Sequence, residues 1–435
     1  MKKDYQTTAA TRATAEELVM PEAVSVAMAE LTGAVKEGLL ALAVGAGLQV
    51  VQAMMEESVV ALAGPKGRHD PDRTAVRHGR EDGAVTLGGR RVPVRRPRVR
   101  SADGSAEVVV PAYEHFASAD LLGELALERM MAKLSTRRYR AGLEPVGEAV
   151  EATARSTSRS AVSRRFVART EVALTELLGA DLTGLDLVAL MVDGVHFAEH
   201  CCVVALGIDA DGTKHPLRIV EGATENATVV TDLLVGLRER GLDVGRPVLV
   251  VIDGAKALAS AVKTVFDRPV IQRCQLHKVR NVESKLPKAL AALVAKKMRA
   301  AYHDPDPLSA QATLEALARD LDKAHPGAAA SLREGLADTL TVGRLGVPPT
   351  LARTLRSTNA IESMIEICRD HSTNVKRWRD GAMALRWCAA GMGEAAKQFR
   401  RVHGHLHLAA LRAALDAHCA PLTSSAVVDT EDAAA

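Results

Sequence analysis

Two apolar stretches of the chain share one pattern and predict two strands of a sheet. "LDLVALMVDGVHF", residues 185 to 197, and "RPVLVVIDGAKAL", residues 246 to 258, each carry a Val-rich run that closes on Asp-Gly. The runs are short, β-branched and bounded by turn residues, which is typical of strands. Because "VLVVI" is apolar at every position, we expect its strand to be covered on both faces.

The sequence between these runs predicts how the strands are connected. "CCVVALGIDADG" and "KHPLRIVEGA" are typical of two further strands, the first closed by the hairpin-type turn Asp211-Gly212. An amphipathic helix over residues 226 to 240 then leads into "VLVVID". Because a crossover helix lets the last strand lie parallel to the first, the pattern predicts an α/β fold with a mixed sheet.

The aspartates of the two Asp-Gly pairs are the first candidates for chemistry. If the two strands are neighbours, Asp193 and Asp253 leave the sheet together at its carboxyl edge, where ligand sites of α/β folds form. Two carboxylates held close repel each other unless a cation lies between them, and oxygen ligands favour Mg²⁺ or Mn²⁺. We therefore predict a divalent-metal site. The alternative is that Asp-Gly only turns the chain after each strand.

Composition narrows the class of protein without identifying it. A chain of 435 residues with 47% apolar content is expected to form several domains. A net charge of +3 does not by itself argue for a polyanionic partner. Six cysteines in a chain this long do not indicate a disulfide framework, and the N-terminus has no signal-peptide pattern. The run from Gly38 to Met55 predicts a buried helix rather than a membrane span. We expect a cytoplasmic protein.

Arginine is concentrated in one segment that predicts contact with nucleic acid. Residues 64 to 100 are rich in Gly, Pro and Arg, and their later half alternates in short β-like pieces around Gly88-Gly89. Guanidinium groups at this density can neutralise several phosphates. The alternative is a solvated basic loop. The arginines are Arg90, Arg91, Arg95, Arg96, Arg98 and Arg100.

A second DNA-binding candidate covers residues 135 to 170. An apolar-periodic helix, a Ser/Thr break at residues 156 to 158 and a second helix that carries Arg164 and Arg165 are typical of a helix-turn-helix. Ordinary surface helices with arginines would explain the same pattern.

Longer motifs give a family resemblance. "VIDGAKALASAVKTVFDRPVIQRCQLHKVRNV", with "VDGVHF" upstream, "EGATENATVVTDLLVGLRERGL" between and "STNAIESMIEICRDHSTNVKRWRDGAMALRW" downstream, resembles the bacterial transposases of the Mutator-type insertion-sequence family. The resemblance runs from about Ala75 to Phe399. It implies an RNase H-like core whose DDE triad corresponds to Asp193, Asp253 and Glu362, with an α-helical insertion between the last two.

The resemblance also implies the reaction and its partners. A DDE transposase binds the terminal inverted repeats of its element as double-stranded DNA, and cleaves and joins strands with two Mg²⁺ or Mn²⁺ ions held by the three carboxylates. Because strand transfer needs two ends, we expect a homodimer or larger assembly on DNA, without membrane contact. The alternatives are an RNase H-like structure-selective nuclease without joining activity and a catalytically inactive DNA-binding regulator.

Glu362 has a second explanation that the residues alone leave open. Asn359 three positions earlier would make Glu362 the N3 acid of a capping box. Glu366 lies one helical turn further on, so spacing cannot choose between the two glutamates. The resemblance favours Glu362.

"RCQLHKVRN" contains a Cys-x-x-His pair, Cys274 and His277. This is half of a zinc site, and no matching second pair is evident. The family carries the motif shortly after the second Asp, so we expect it to support the active site or DNA placement, with Arg273 and Arg280 beside it as phosphate contacts.

In "VKRWRD", Lys376, Arg377 and Trp378 are further DNA candidates, although a core role for the tryptophan is the simpler expectation.

Seven regions are predicted on these grounds. They are residues 1–66, helical and a candidate dimerisation element; 67–118, basic and β-like; 119–182, helix-turn-helix-like; 183–284, the first part of the catalytic core; 285–354, the α-helical insertion; 355–402, the C-terminal helical part of the core; and 403–435, a tail.

Overall fold

A computed structural model of the chain describes residues 39 to 420, apart from positions 69, 71, 119, 144, 145, 147 and 223 to 225. The chain divides into two units, Met1–Phe166 and Val167–Ala435. The predicted N-terminal helical region lies outside the described residues up to position 38.

The first unit is built around a β-hairpin. Its elements are α1 (Leu39–Ala63), β1 (Ala75–Leu87), β2 (Arg90–Ser101), β3 (Glu107–Val108), α2 (Pro111–Ala117), α3 (Asp120–Met131), a 3₁₀ turn (Arg140–Gly142), α4 (Glu148–Thr153) and the start of α5 (Arg159–Gly179). Strands β1 and β2 are antiparallel and β3 pairs with β2. Gly88 and Gly89 make the turn with φ of 55° and 73°, a conformation that glycine adopts without strain. The β-like pieces predicted around them therefore form one long hairpin.

The segment predicted as a helix-turn-helix is less regular than its pattern indicates. Its first half holds turns, the 3₁₀ turn and the short helix α4 rather than one continuous helix. Gly142 lies at the end of the 3₁₀ turn, and glycine is unfavourable inside helices. The Ser/Thr break and the second helix occur as predicted, with Ser156 at a φ of 76° before α5.

The second unit contains a five-stranded mixed sheet. Its elements are β4 (Leu187–Phe197), β5 (His200–Asp209), β6 (Lys214–Gly222), α6 (Ala227–Glu239), β7 (Val248–Ile252), α7 (Lys256–Val265) and β8 (Pro269–Arg273). The strand order is β6-β5-β4-β7-β8. Strands β4, β5 and β6 pair antiparallel, and β7 is parallel to β4 and β8. This confirms the predicted α/β class with a mixed sheet, and Gly212 turns the chain between β5 and β6 with a φ of 83°.

The first Asp-Gly pair does not end its strand, contrary to the expectation from sequence. Strand β4 continues to Phe197, with Asp193 opposite Val204 and Gly194 opposite Val203 on β5. The physical reason is that the antiparallel hairpin with β5 extends the strand after its parallel pairing with β7 has ended at Met191. Turn formation therefore does not explain the aspartate at position 193.

Helices make up the rest of the second unit. They are α8 (Gln275–Glu283), α9 (Lys288–Tyr302), α10 (Pro307–Leu321), α11 (Pro326–Arg333), α12 (Leu336–Thr339), α13 (Thr341–Arg344), α14 (Pro349–Leu355), α15 (Asn359–His371), α16 (Gly381–Gln398), a 3₁₀ turn (His405–His407) and α17 (Leu408–Cys419). Residues 285–354 are thus α-helical, and α8 to α12 share a core of their own.

Two hydrophobic cores cover the two faces of the sheet. Helices α15, α16 and α17 contribute to one, and α6 and α7 to the other. All five residues of β7 are buried, as its unbroken apolar pattern predicts. Cys201 and Cys202 are free thiols buried in β5.

The region expected as a tail from residue 403 contains a packed helix. Leu408, Leu411 and Leu415 of α17 are fully buried in the core beside the sheet. Their spacing of three and four residues is that of one helical face. Residues 421 to 435 lie outside the described part of the chain. Within the described residues, no helix has the length and apolarity to cross a lipid bilayer.

Candidate active site

The register between β4 and β7 sets Asp193 beside Asp253. The parallel pairing matches Leu190 with Val250 and Met191 with Val251, so each aspartate stands two residues beyond a matched pair. The Asp253 carboxylate accepts a hydrogen bond from the backbone N–H of Ala255 over 2.8 Å at the start of the loop after β7. The pairing thus brings both carboxylates to one edge of the sheet.

The carboxyl group of Asp193 has a perturbed pKa. Its pKa is raised to about 6, mainly by burial and also by the negative charges of Asp253 and Glu362, while the Gly194 N–H and the charge of His277 oppose the rise. The Gly194 N–H donates to the carboxylate over 2.8 Å. Two carboxylates from distant parts of the sequence therefore act electrostatically on Asp193.

Glu362 comes from the first turn of α15 and reaches the site without the capping box that its sequence permits. The helix begins at Asn359, so Thr358 rather than Asn359 is its N-cap. The hydroxyl of Thr358 donates to Oε1 of Glu362 over 2.6 Å. Glu366 is exposed one turn further on. The structure thus brings Glu362, and not Glu366, into the electrostatic environment of Asp193.

Thr358 is the residue that joins the Cys-x-x-His motif to Glu362. It is fully buried. Its backbone N–H and its hydroxyl lie 3.4 Å and 3.3 Å from the sulfur of Cys274. Its hydroxyl is also 3.4 Å from Nδ1 of His277. The hydroxyl of Thr358 therefore contacts the side chains of Cys274, His277 and Glu362.

Cys274 and His277, at the start of α8, shift each other's pKa in opposite directions. Burial alone would raise the pKa of the Cys274 thiol, but hydrogen bonds from His277 and Thr358 outweigh it and the pKa is lowered. The hydrogen bond with Cys274 raises the pKa of His277 to about 9 against the effect of burial, with the charges of Glu362 and Asp193 adding to the rise. A protonated His277, 3.9 Å from Oε1 of Glu362, compensates part of the negative charge.

The chemistry of the donors fits a hard divalent cation. Asp193, Asp253 and Glu362 offer only oxygen, the ligand atom that hard divalent cations prefer, and the negative charges of Asp253 and Glu362 act on Asp193. A soft metal fits less well. Cys274, His277 and Glu362 have ligand atoms within 4.8 Å of one another, but the sulfur of Cys274 already accepts hydrogen bonds from Thr358 and His277.

The basic residues next to the Cys-x-x-His motif have different environments. Arg280 is exposed, and its Nη1 lies 3.9 Å from Glu362. Arg273 is 7% exposed. Its Nη1 donates to the carbonyl of Glu334 over 3.4 Å and its Nε lies 3.5 Å from Asp338. Of the two predicted phosphate contacts, only Arg280 is thus accessible beside the carboxylates.

The arginines of β2 are largely paired with acids. Arg90 is buried and bound to Glu151 over 2.7 Å. Arg95 lies 3.2 Å from Asp82, and Arg98 binds Glu107 through two hydrogen bonds. Arg96 contacts Glu81 and Glu107, Arg91 donates to the carbonyl of Ala117, and Arg100 is half-buried. The arginine-rich strand therefore carries less free positive charge than its sequence indicates.

The remaining DNA candidates differ in how exposed their side chains are. Arg164 is exposed, and Arg165 donates to the carbonyl of Ser156 over 2.7 Å. Lys376 and Arg377 are exposed. Trp378 packs 4.7 Å from the ring of Phe197 and 6.4 Å from that of Trp387, and it contacts the core beside the sheet. This agrees with the core role expected for the tryptophan.

Similar proteins are transposases of insertion sequences. The family description "Transposase, Mutator family" matches residues 21–402. A transposase for insertion sequence element IS6120 of Mycolicibacterium smegmatis is 32% identical over 230 residues, which are 52% of this chain and 70% of that protein. A transposase for insertion sequence element ISRM5 of Rhizobium meliloti is 26% identical over 367 residues, 84% of this chain and 89% of that protein.

Proposed function

The chain belongs to the Mutator family of transposases, and from this premise we propose that Asp193, Asp253 and Glu362 are the catalytic residues of a DNA-cleaving and DNA-joining enzyme. The observation that carries the proposal is electrostatic. The charges of Asp253 and Glu362 both act on the half-buried carboxyl of Asp193, although the three residues come from distant segments of the chain.

We propose that the second unit has an RNase H-like core. The support is the strand order β6-β5-β4-β7-β8, in which an antiparallel meander continues into two parallel strands. Asp193 and Asp253 each stand two residues beyond the last matched pair of the central strands β4 and β7. The helices between Asp253 and Glu362 are the insertion that the family resemblance implies.

The three carboxylates would hold two Mg²⁺ or Mn²⁺ ions, which when bound neutralise phosphodiester charge and activate the attacking oxygen. Thr358 orients the Glu362 carboxylate through its 2.6 Å hydrogen bond. Arg280 is exposed beside the same carboxylate and offers a guanidinium to a DNA phosphate.

The reaction we propose has two steps. In the first, water displaces one oxygen of a phosphodiester at the transposon end and leaves a 3′-hydroxyl and a 5′-phosphate. In the second, that 3′-hydroxyl attacks a phosphodiester of target DNA, so that one P–O bond forms as another breaks. Both steps exchange oxygens at phosphorus and need no covalent enzyme intermediate.

Recognition of the terminal inverted repeats is assigned in this proposal to the first unit and to exposed basic side chains of the second. Arg164, Lys376 and Arg377 are accessible for this role. Strand transfer needs two transposon ends brought together, so we propose a homodimer or larger assembly on DNA. The bacterial cytoplasm, at the nucleoid, is where such a substrate is found.

The proposal is tested by cleavage and strand transfer with labelled DNA that carries the element's own ends, in Mg²⁺ or Mn²⁺. Wild type is compared with Asp193→Asn, Asp253→Asn and Glu362→Gln, and Glu366→Gln is the matched control from the same helix. We expect the first three changes to abolish both steps while end binding, measured by fluorescence anisotropy, is retained.

The alternatives give different results. Cleavage without joining by wild type would identify a nuclease, and end binding with no cleavage in either metal would identify a regulator. Activity of the three variants, or loss of activity in Glu366→Gln alone, would show that the proposed triad is wrong.

A further inference from the structure

A basic cavity of about 160 Å³ lies in the second unit, between the insertion helices and the start of α15. Its lining includes Arg299, His303, Arg353, Arg356 and Asn359, and no acidic residue contributes to it. Cavities for drug-sized ligands are usually about 300 Å³ or more. The volume and the charge suit a small anionic group instead.

Of the three arginines of the cavity, Arg299 is paired with an acid, since its Nη2 lies 3.6 Å from Glu283, whereas Arg356 contacts a histidine. Nη2 of Arg356 lies 3.3 Å from Nε2 of His303, whose Nδ1 is 2.6 Å from the carbonyl of Arg299. Because a carbonyl only accepts, Nδ1 donates to it, and Nε2 is the nitrogen that faces the guanidinium of Arg356. Burial lowers the pKa of Arg356, and the charge of Arg353 lowers it further. An anion in the cavity would stabilise both guanidinium groups.

Tyr302 also lines the cavity and is 8% exposed. Its hydroxyl oxygen is buried and makes no hydrogen bond among the described residues. Thr339 is the polar side chain near it. The Thr339 hydroxyl donates to the carbonyl of Leu336 over 2.6 Å and keeps lone pairs that can accept from Tyr302. Buried hydroxyls are normally hydrogen-bonded, so the hydroxyl of Tyr302 can donate either to Thr339 or to a bound oxygen.

The cavity and the carboxylate site are built on the same two stretches of chain, the start of α8 and the start of α15. Ser357 and Asn359 line it and flank Thr358, which contacts Glu362. Gln275, also in the lining, follows Cys274 directly in the sequence. The backbone N–H of Gln275 donates to the carbonyl of Arg356 over 3.0 Å and joins the two segments. The helix α15 begins here without a side-chain cap, and a helix N-terminus favours anions.

We propose that this cavity binds a backbone phosphate of the DNA strand held at the carboxylate site. The inference rests on the proposed function and deepens it, since it names a substrate contact that the carboxylates alone do not provide. A DNA phosphate is favoured over a free small anion because Arg353 and Asn359 are exposed at the cavity and can meet a long polymer. A phosphate fixed here positions the strand relative to Glu362.

The test uses Arg356→Gln and Arg353→Gln in the full chain, with Arg319→Gln as the matched control. Arg319 is an exposed arginine of α10 outside the cavity lining. Binding of end DNA is measured by anisotropy over a range of salt concentrations. Loss of one phosphate contact is expected to reduce the slope of log K against log salt by about 1. The control should keep the wild-type slope.

A chemical probe locates the contact on the DNA. Single neutral methylphosphonates are placed along the end sequence. One position near the cleavage site should weaken wild-type binding but not binding by Arg356→Gln, because the variant has already lost the charge pair. Mn²⁺ binding, followed by electron paramagnetic resonance, should be unchanged in Arg356→Gln, which separates this contact from the carboxylates.

Inorganic phosphate is the competing source of the anion and is tested by calorimetry. If phosphate binds in an Arg356-dependent way while the DNA slope is unchanged, the DNA assignment is overturned. The same conclusion follows if both variants bind DNA with the wild-type slope while wild type cleaves it. If wild type neither cleaves nor joins DNA, the proposed function itself is overturned. That result is distinct from loss of the phosphate contact alone.

Discussion

The hydroxyl of Thr358 donates to the carboxylate of Glu362 over 2.6 Å, and the same hydroxyl contacts the sulfur of Cys274 at 3.3 Å. The Cys-x-x-His motif is thus connected to the third carboxylate through one side chain. Partners that orient a ligand commonly change metal affinity or activity by about 10–100-fold when they are removed. Thr358 is a positioning residue in this sense.

Thr358→Val keeps the shape of the side chain and removes the hydrogen bonds of its hydroxyl, while the backbone N–H near Cys274 remains. We expect a reduction of Mn²⁺ affinity or of strand transfer by about 10-fold or more, because Glu362 loses the group that orients it. Mn²⁺ titration by electron paramagnetic resonance measures the first effect and a strand-transfer assay the second. Thr358→Ser retains the hydroxyl and should restore most of both, so equal behaviour of the Val and Ser variants would contradict the role.

Asp193→Asn is expected to stabilise the metal-free protein while it removes activity. Burial raises the folded pKa of Asp193 to about 6 from the ordinary value of 3.8. Below pH 3.8 both states are protonated and the group contributes no penalty. As the pH rises through about 6, the native state must hold a charge that the unfolded state holds more easily.

The asparagine carries no such charge at any pH. Above pH 6 the free energy of unfolding should therefore be higher in the variant by about 1–3 kcal/mol, and the difference should disappear near pH 4. Urea unfolding without metal at several pH values measures it. Addition of Mg²⁺ should stabilise wild type more than the variant. A variant that is less stable than wild type at pH 7 in the absence of metal would contradict this account.

The first two carboxylates could be predicted from local sequence, and the third could not. Asp193 and Asp253 follow two apolar runs joined by a crossover helix, so a parallel pairing of those runs is enough to bring them together. Glu362 lies about 110 residues beyond Asp253, and no periodicity links it to the sheet. Only the family resemblance distinguished it from Glu366, because helical spacing alone permits either.

The sequence pattern did not indicate a role for Thr358, and it overstated the free positive charge of the β2 arginines, for two different reasons. Thr358 stands in the motif "STNAIES", but its role depends on a tertiary contact with Cys274 that no local pattern encodes. The partners of the arginines could have been found. Counting outward from the Gly88-Gly89 turn pairs Asp82 with Arg95 and Glu81 with Arg96, as the hairpin register has them.

Lys278 should hold the insertion against the rest of the second unit. It is 5% exposed, and its Nζ donates to the carbonyls of Ser331 and Glu334 over 2.7 Å and 2.6 Å. Lys278→Met removes both hydrogen bonds and leaves the Glu334 carbonyl with only the longer contact from Arg273, so we expect a loss of about 1–3 kcal/mol in the free energy of unfolding.

Hydrogen exchange should locate that loss in α11 and α12. Lys288→Met changes an exposed lysine at the start of α9 and serves as the control, for which a near-zero effect is expected. Equal stability of the two variants would mean that Lys278 does not anchor the insertion.

Glu107→Gln tests whether the paired arginines of β2 can serve DNA. The Glu107 carboxylate accepts two hydrogen bonds from Arg98 and lies 3.5 Å from Nη2 of Arg96. Removal of this acid frees guanidinium charge, so binding of a non-specific DNA duplex should become tighter, with a slope of log K against log salt that is steeper by about 1. Glu57→Gln makes the same change of net charge on exposed α1 surface and controls for it. If both variants gain affinity equally, the arginines of β2 do not contact DNA and their acidic partners serve the stability of the hairpin alone.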